Sequence, residues 1–258
     1  MTILTTLESY YDMAPRASAT TEQVGPFTLF LRADEDSYPY YARPRLGLLA
    51  SEELTADEVR RVRERQREVG APETFEWVHE TTPNLLPVAR EAGLAVQECP
   101  LLVLAESLPP SRPVAADVSV LGADSDLLPA ALAAVSAGFA GTDTVAVRSE
   151  STVARWRRRI DAGLVATAVA VDEDGTVVGG GSHVPRGSTT ELAGIAVLPR
   201  ARGRGVGEAL TRVLVDDAAA RAVDTVFLSA RDDAVARVYE RVGFRRVGTA
   251  CLAEPEEA

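Results

Sequence analysis

The chain has 258 residues, and its net charge of −11 argues against a nucleic-acid partner, because the phosphates of such a partner need a basic face. All 27 basic residues are arginine and only two histidines are present, which excludes a Walker-A lysine and a pyridoxal Schiff base and disfavours a metal site. Two cysteines, no apolar run of membrane length and no basic segment before an apolar core at the N-terminus predict a cytoplasmic protein without a membrane partner.

The first part of the chain alternates short apolar runs with one strongly charged helical segment. The pattern predicts strands and helices in the order β, β, α, β, α, β, at residues 27–32, 40–48, 55–69, 75–79, 84–92 and 94–104. Thr55 and Glu58 form a capping box at the start of the first helix. A proline-rich break at residues 108–113 then predicts a stiff, extended linker.

The part after this break has clearer periodicity. One strand, two helices, three strands in a meander, and then helix, strand, helix and strand are predicted, at residues 118–121, 125–139, 149–162, 164–171, 177–183, 189–198, 205–222, 226–230, 233–242 and 245–252. Asp174 and Gly175 form the turn of a hairpin, and Gly243 ends the last helix.

A shift of 150 residues places residues 72–94 over residues 222–244 with the same order of elements. The two parts are therefore interpreted as copies, with domains at 1–107 and 118–258 and a linker at 108–117.

A glycine-rich turn follows the apolar run at residues 192–198 and precedes the helix at 205–222. A strand, a turn of this kind and a helix direct backbone N–H groups and a helix N-terminus at one anion. Glycine allows the backbone to approach a phosphate, and arginines add charge-assisted hydrogen bonds. The turn, residues 202–207, therefore predicts a ligand with a phosphate or pyrophosphate. In the first part of the chain the corresponding residues 52–58 contain no glycine and four carboxylates, which would repel such a ligand.

A second motif lies one helix and one strand further on, where Tyr239 and Glu240 precede Gly243 and Phe244. With Arg202, Gly205 and Gly207 of the turn, it resembles the paired motifs of the GNAT superfamily of acyl-CoA-dependent N-acyltransferases, over roughly residues 118–253. The resemblance implies an α/β (α+β) fold with a mixed, mostly antiparallel sheet flanked by helices. The chain as a whole is similar to tandem-domain members, with a degenerate first half.

The resemblance also implies roles for individual residues. Coenzyme A would be held by the turn and by the main chain of the strand before it, at Ile195, Ala196, Val197, Arg202, Gly203, Arg204, Gly205, Val206 and Gly207. Tyr239 would act as the general acid toward the leaving thiolate. Glu191 would deprotonate the amine, and His183 is a less favoured base. The family often has an asparagine where Asp232 stands, so that contact would differ. Four arginines are interpreted as a solvated helix face: Arg155, Arg157, Arg158 and Arg159.

The predicted function is an N-acetyltransferase that moves an acetyl group from acetyl-CoA to a primary amine by direct attack, through a tetrahedral intermediate and without a metal. The expected partners are a small-molecule amine and a second copy of the chain, in a homodimer. The alternative is a non-catalytic coenzyme A-binding regulatory or scaffold module. A dinucleotide oxidoreductase is disfavoured, because the glycine spacing is not that of the Rossmann motif. The sequence does not identify the acceptor.

Overall fold

The computed structural model describes residues 2–33, 40–49, 51–105, 108–110 and 113–256. The chain divides into two compact units. Unit 1 contains Met1–Leu102, Ser229–Arg237 and Arg246–Ala258, and unit 2 contains Val103–Leu228 and Val238–Arg245. The predicted linker at 108–117 includes residues 111 and 112, which lie outside the described residues, and its last two residues already belong to a strand. The predicted domains stay a prediction, but the end of the chain is part of unit 1.

The elements before the linker form most of unit 1. In chain order they are α1 (Ile3–Arg16), β1 (Ala19–Val24), β2 (Phe27–Arg32), β3 (Ala42–Pro44), α2 (Ala56–Glu68), β4 (Phe75–Val78), α3 (Leu85–Glu91) and β5 (Leu94–Leu104). Neither α1 nor β1 was predicted, because the threonines and tyrosines of α1 have only modest helix propensity and Pro15 lies within the helix. Of the predicted strand at 40–48 only three residues pair, and Gly47 adopts a left-handed conformation in the turn that follows.

The elements after the linker are β6 (Ala116–Leu121), α4 (Leu128–Phe139), α5 (Glu150–Asp161), β7 (Ala166–Asp172), β8 (Val177–Arg186), β9 (Thr189–Val197), α6 (Val206–Ala220), β10 (Thr225–Ser229), α7 (Asp233–Glu240) and β11 (Phe244–Pro255). Each predicted element of this part is present, with ends that move by a few residues.

The sheet of unit 1 has the strand order β1-β2-β3-β4-β11-β5. The pairs β1–β2, β2–β3 and β4–β11 are antiparallel, whereas β3 and β4 run parallel and pair at Ala42 and Phe75. The helices α2 and α3 cover one face, where Trp77 packs with Val59 and Leu85 in a buried core. The last strand of the chain thus completes the sheet of the first unit.

The sheet of unit 2 has the strand order β10-β9-β8-β7-β6, and only β9 and β10 are parallel. Neighbouring glycines of β8 show that α4 and α6 lie on opposite faces. A Cβ on Gly180 would meet Val135 of α4, and one on Gly179 would meet Leu210 of α6. The predicted mixed, mostly antiparallel sheet flanked by helices is confirmed.

The two parts of the chain repeat one order of elements: a helix, three antiparallel strands, a helix, a strand parallel to the third, a helix and a final strand. The starts of α2 and α6, of β4 and β10, and of β5 and β11 are each separated by 150 residues. This offset is the one that the sequence predicts. In the described part of the chain, no helix is long and apolar enough to cross a membrane.

Candidate active site

The strands β9 and β10 separate after their first three paired residues. They pair from Thr189 and Thr225 to Glu191 and Phe227, and β9 then continues to Val197. The main chain of residues 192–197 therefore runs along a cleft that opens on the β10 side. The predicted residues Ile195, Ala196 and Val197 lie on this stretch.

A β-bulge shapes the same stretch of β9. Gly194 and Ile195 together stand opposite the single residue Gly181 of β8. Gly194 has φ +65°, the left-handed conformation that marks the first residue of a glycine bulge. A bulge bends its strand and leaves the extra residue out of the ladder, so β8 does not pair with every main-chain group of Gly194 and Ile195.

Sequence reasoning missed three glycines that make room for this strand. A Cβ on Gly179 would lie 2.8 Å from the carbonyl oxygen of Ala196, and one on Gly181 would lie 2.7 Å from the side chain of Ile195. A Cβ on Gly138 of α4 would lie 3.0 Å from the Cβ of Ala196. The glycine run in a predicted strand was the available signal, since glycine inside a strand marks a bulge or a close backbone approach.

The glycine-rich turn leaves its amides unused. Gly203 and Gly205 have φ of +74° and +83°, and Gly205 is the N-cap of α6 without a side-chain cap. Within the described part of the chain, the backbone N–H groups of residues 203–208 donate no hydrogen bond. Several N–H groups at the positive end of a helix therefore remain for an anion. Gly207 has no positive φ and a Cβ there would have space, so the fold itself does not require this glycine.

The two arginines of the turn occupy different positions. The Arg202 guanidinium donates to the carbonyl oxygens of Val197 at 3.0 Å and Gly138 at 2.6 Å, so it ties the turn to α4. This differs from the expectation that it adds hydrogen bonds to a phosphate. Arg204 is exposed and lines a cavity of about 230 Å³ that it shares with Val206 and the β7–β8 hairpin.

Tyr239 lies on α7 and packs edge-on against Phe244, with ring centroids 5.9 Å apart. Its hydroxyl makes no hydrogen bond to another described residue. Burial raises the pKa of the Tyr239 phenol to about 12. The hydroxyl therefore stays protonated near neutral pH and can donate a hydrogen bond.

Glu191 stands on the last paired rung of β9 and β10, where the cleft begins. It pairs with Val184, which shares a face of β8 with Gly180, so its half-buried side chain lies on the α4 side of the sheet. His183 faces the other way. Its imidazole is fully buried, with Nδ1 2.9 Å from Thr190 Oγ1 and Nε2 2.7 Å from Asp217 Oδ2, and burial lowers its pKa. His183 is thus a structural residue that fixes β9 to α6.

Asp232, the departure from the family pattern, caps α7. Its Oδ1 accepts a hydrogen bond from the Val235 amide at 2.9 Å, and this bond and that of the Arg231 side chain lower its pKa. The carboxylate is therefore explained by the helix start. The described residues contain no group of three or more His, Cys, Asp or Glu that could hold a metal ion.

In the corresponding turn of unit 1, side chains of the turn accept hydrogen bonds from the backbone N–H groups. Thr55, 150 residues before Gly205, is the N-cap of α2. Its hydroxyl accepts from the Glu58 amide, and Glu58 Oε2 accepts from the Thr55 amide at 2.9 Å. Glu52 Oε1 accepts from the Leu49 amide just before. This helix start is closed by its own side chains.

Residues 140–244 match the sequence model of the acetyltransferase (GNAT) family. The sequence has no significant match among proteins of curated function. Among solved structures, a GCN5-related N-acetyltransferase from Kribbella flavida is similar with a TM-score of 0.73 and 21% identity over 100% of this chain and 97% of its own. A GCN5-related N-acetyltransferase from Sphaerobacter thermophilus follows with a TM-score of 0.61 and 19% identity, over 90% and 81%. A tandem GNAT protein from the clavulanic acid biosynthesis pathway has a TM-score of 0.56 and 15% identity, over 90% and 79%.

Proposed function

We propose, from the match of residues 140–244 to the GNAT acetyltransferase family model, that the protein transfers an acetyl group from acetyl-CoA to a primary amine. The observation that carries this proposal is the open turn before α6. Its amides at residues 203–208 donate to no described group, and its N-cap is a left-handed glycine. Such a turn suits a diphosphate, which accepts several N–H groups at once.

The separated part of β9 suits the rest of the coenzyme. An extended pantetheine arm can pair with the main chain of Ile195, Ala196 and Val197 like an added strand. The bulge at Gly194 leaves main-chain groups that β8 does not pair, and one of their N–H groups can stabilise the oxygen of the reacting carbonyl. Arg202 contributes by holding the turn against α4 rather than by touching the phosphates.

The amine has to be neutral before it can attack. An alkyl amine with a pKa of ~10.4 is only about 1 part in 2,500 neutral at pH 7, which makes a base useful. Glu191 is the carboxylate at the start of the cleft and on the α4 side of the sheet. We assign it the role of accepting this proton, directly or through a water molecule.

Tyr239 is assigned to the leaving thiolate. Its pKa of about 12 lies well above the ~8.5 of a thiol, so complete proton transfer from the phenol would be uphill. The hydroxyl acts instead as a hydrogen-bond donor that stabilises the thiolate as it forms, and solvent then supplies the proton. Neither cysteine takes part, since Cys99 and Cys251 are both buried in unit 1.

The test is a thiol-release assay with acetyl-CoA across a panel of amines, with mass detection of the acetylated product. We expect release that depends on the amine and a product heavier by one acetyl group. Binding of acetyl-CoA without release on any amine would contradict this proposal and favour the non-catalytic coenzyme A-binding module.

A further inference from the structure

The connection between β9 and α6 is held in place by the end of α4. Leu198, the first residue after β9, is fully buried and packs against Ala134 and Ala137 of that helix. Further along, the Arg202 guanidinium donates to the carbonyl oxygen of Gly138 at 2.6 Å. Gly138 lies in the last turn of α4, where carbonyl oxygens lack partners within the helix and a cation is favoured. The segment that leads into the glycine-rich turn is therefore fixed to α4 at both of its ends.

A third contact comes from the loop between α4 and α5, at residues 140–149. Asp143 Oδ1 accepts a hydrogen bond from the Arg200 backbone N–H at 3.1 Å, and Arg200 Nη1 lies 3.6 Å from the same oxygen. Arg200 belongs to the single turn of 3-10 helix, Pro199–Ala201, that precedes the glycine-rich turn. The loop thus holds the backbone of the connection between its two points of contact with α4.

The glycine-rich turn needs such support from outside. Gly203 and Gly205 both have a positive φ, and a Cβ on Gly203 would have no neighbour within 4 Å. Glycine gives the backbone many accessible conformations, so a free turn would lose entropy when a ligand orders it. Binding is tighter when the donors are already held in the bound arrangement. The contacts of Arg202 and Asp143 limit the arrangements that the N–H groups of residues 203–208 can take.

We propose that Asp143 is a positioning residue for the cofactor: together with Arg202, it holds the glycine-rich turn in the arrangement that binds the diphosphate of acetyl-CoA. This inference rests on the proposed binding of acetyl-CoA at that turn. Asp143 acts through the Arg200 backbone, whereas its own negative charge works against an anionic ligand at the turn. The two effects of Asp143 have opposite signs, so substitutions can separate them.

The experiment measures the affinity of the whole chain for acetyl-CoA by calorimetric titration. Asp143→Ala removes the acceptor of the Arg200 N–H group and should weaken binding about three- to tenfold. Asp143→Asn keeps an oxygen acceptor and removes the negative charge, so its affinity should equal or exceed that of the wild type. Arg202→Lys keeps the positive charge but lacks the planar guanidinium that donates to Val197 and Gly138, and should weaken binding about tenfold. The matched control Asp126→Ala, at an exposed position before α4, should bind normally.

A kinetic measurement separates positioning from a general loss of structure. With an amine that the enzyme accepts, Asp143→Ala should raise KM for acetyl-CoA by a similar factor and change kcat less than twofold. Its melting temperature should stay near that of the wild type, because the Asp143 side chain is 46% exposed. Unchanged or tighter binding in Asp143→Ala, or equal losses in Asp143→Ala and Asp143→Asn, would overturn the positioning role and leave the proposed function intact. Failure of the wild type to bind acetyl-CoA would overturn both.

Discussion

The helices α2 and α6 begin at corresponding positions in the two units, and their first turns use the backbone differently. At α6 the N-cap is Gly205, and the N–H groups of the turn donate to no described group. At α2 the N-cap is Thr55, and the capping box with Glu58 satisfies the amides from within. The same fold position is open to an anion in one unit and closed in the other.

The contrast teaches that a helix start is either stabilised by its own side chains or available for a ligand. A capping side chain supplies the acceptor that the free N–H groups need, and carboxylates also repel phosphate. Three further pairs follow the same offset: Ala89 corresponds to Tyr239, Glu76 to Val226, and Glu52 to Arg202. Unit 1 thus lacks the features that the proposed chemistry needs.

The largest effect should come from closing the open turn. In Gly205→Glu, a side chain is forced into a left-handed conformation and a carboxylate is placed beside the diphosphate, so acetyl-CoA binding should weaken at least about 100-fold. Calorimetric titration with acetyl-CoA measures this loss of affinity. The matched control Gly70→Glu has φ +66° with space around it in unit 1, and should bind normally. Unchanged binding in Gly205→Glu would mean that the turn does not hold the cofactor.

Removing the Tyr239 hydroxyl should be the next largest effect. Tyr239→Phe should lower kcat about 10- to 100-fold with little change in KM, since the hydrogen bond forms only as the thiolate develops. Because the pKa of Tyr239 is about 12, the wild-type rate should show no loss from this residue up to about pH 10. Tyr40→Phe in unit 1, which removes a hydroxyl bonded to Ser18, is the control. A full kcat in Tyr239→Phe would refute the assignment.

The stability of unit 1 should depend on pH through Glu76, whereas the corresponding residue of unit 2, Val226, cannot titrate. Burial raises the pKa of Glu76 to about 7, and Arg43 and Tyr41 only partly offset it. The folded state therefore binds this proton more tightly than the unfolded state, with its pKa of ~4.3, so the stabilisation is present at low pH and is lost as pH rises through 7. Relative to Glu76→Gln, the wild type should lose about 1–3 kcal/mol between pH 4 and pH 8 in urea unfolding. If the difference in unfolding free energy between the wild type and Glu76→Gln stayed constant over this pH range, the prediction would be wrong.

The smallest effect should come from removing the side-chain cap at the start of α2. Thr55→Ala removes the cap of α2 and should lower the free energy of unfolding by about 1 kcal/mol. The affinity for acetyl-CoA should not change, because unit 1 is not expected to bind it. Ser149→Ala, the cap of α5, is the matched stability control. A change in acetyl-CoA affinity in Thr55→Ala would show that unit 1 takes part in binding.

The sequence predicts those features that depend on neighbouring residues. The turn before α6, the capping box of α2 and the position of Tyr239 are each encoded within a few residues, and the order of elements after the linker follows from periodicity. The short β3 and the unpredicted α1 show where this fails, because tertiary packing of Leu7 and Tyr10 stabilises a helix of modest propensity.

The parts of the site that were not predicted depend on contacts distant in sequence. The bulge at Gly194 exists only in relation to Gly181, and the partner of Arg202 is the carbonyl oxygen of Gly138, 64 residues earlier. Contacts between residues so far apart in the sequence cannot be predicted from composition or from the spacing of motifs.

The position of β11 has a consequence for how the polypeptide matures. This strand pairs with β4 at residues 250–253, and Cys251 and Ala253 are part of the buried core of unit 1. During synthesis the sheet of unit 1 therefore stays incomplete until residues 244–255 have left the ribosome. A piece that ends at the proline-rich break would lack β11, so the sheet and the buried core of unit 1 would both be incomplete.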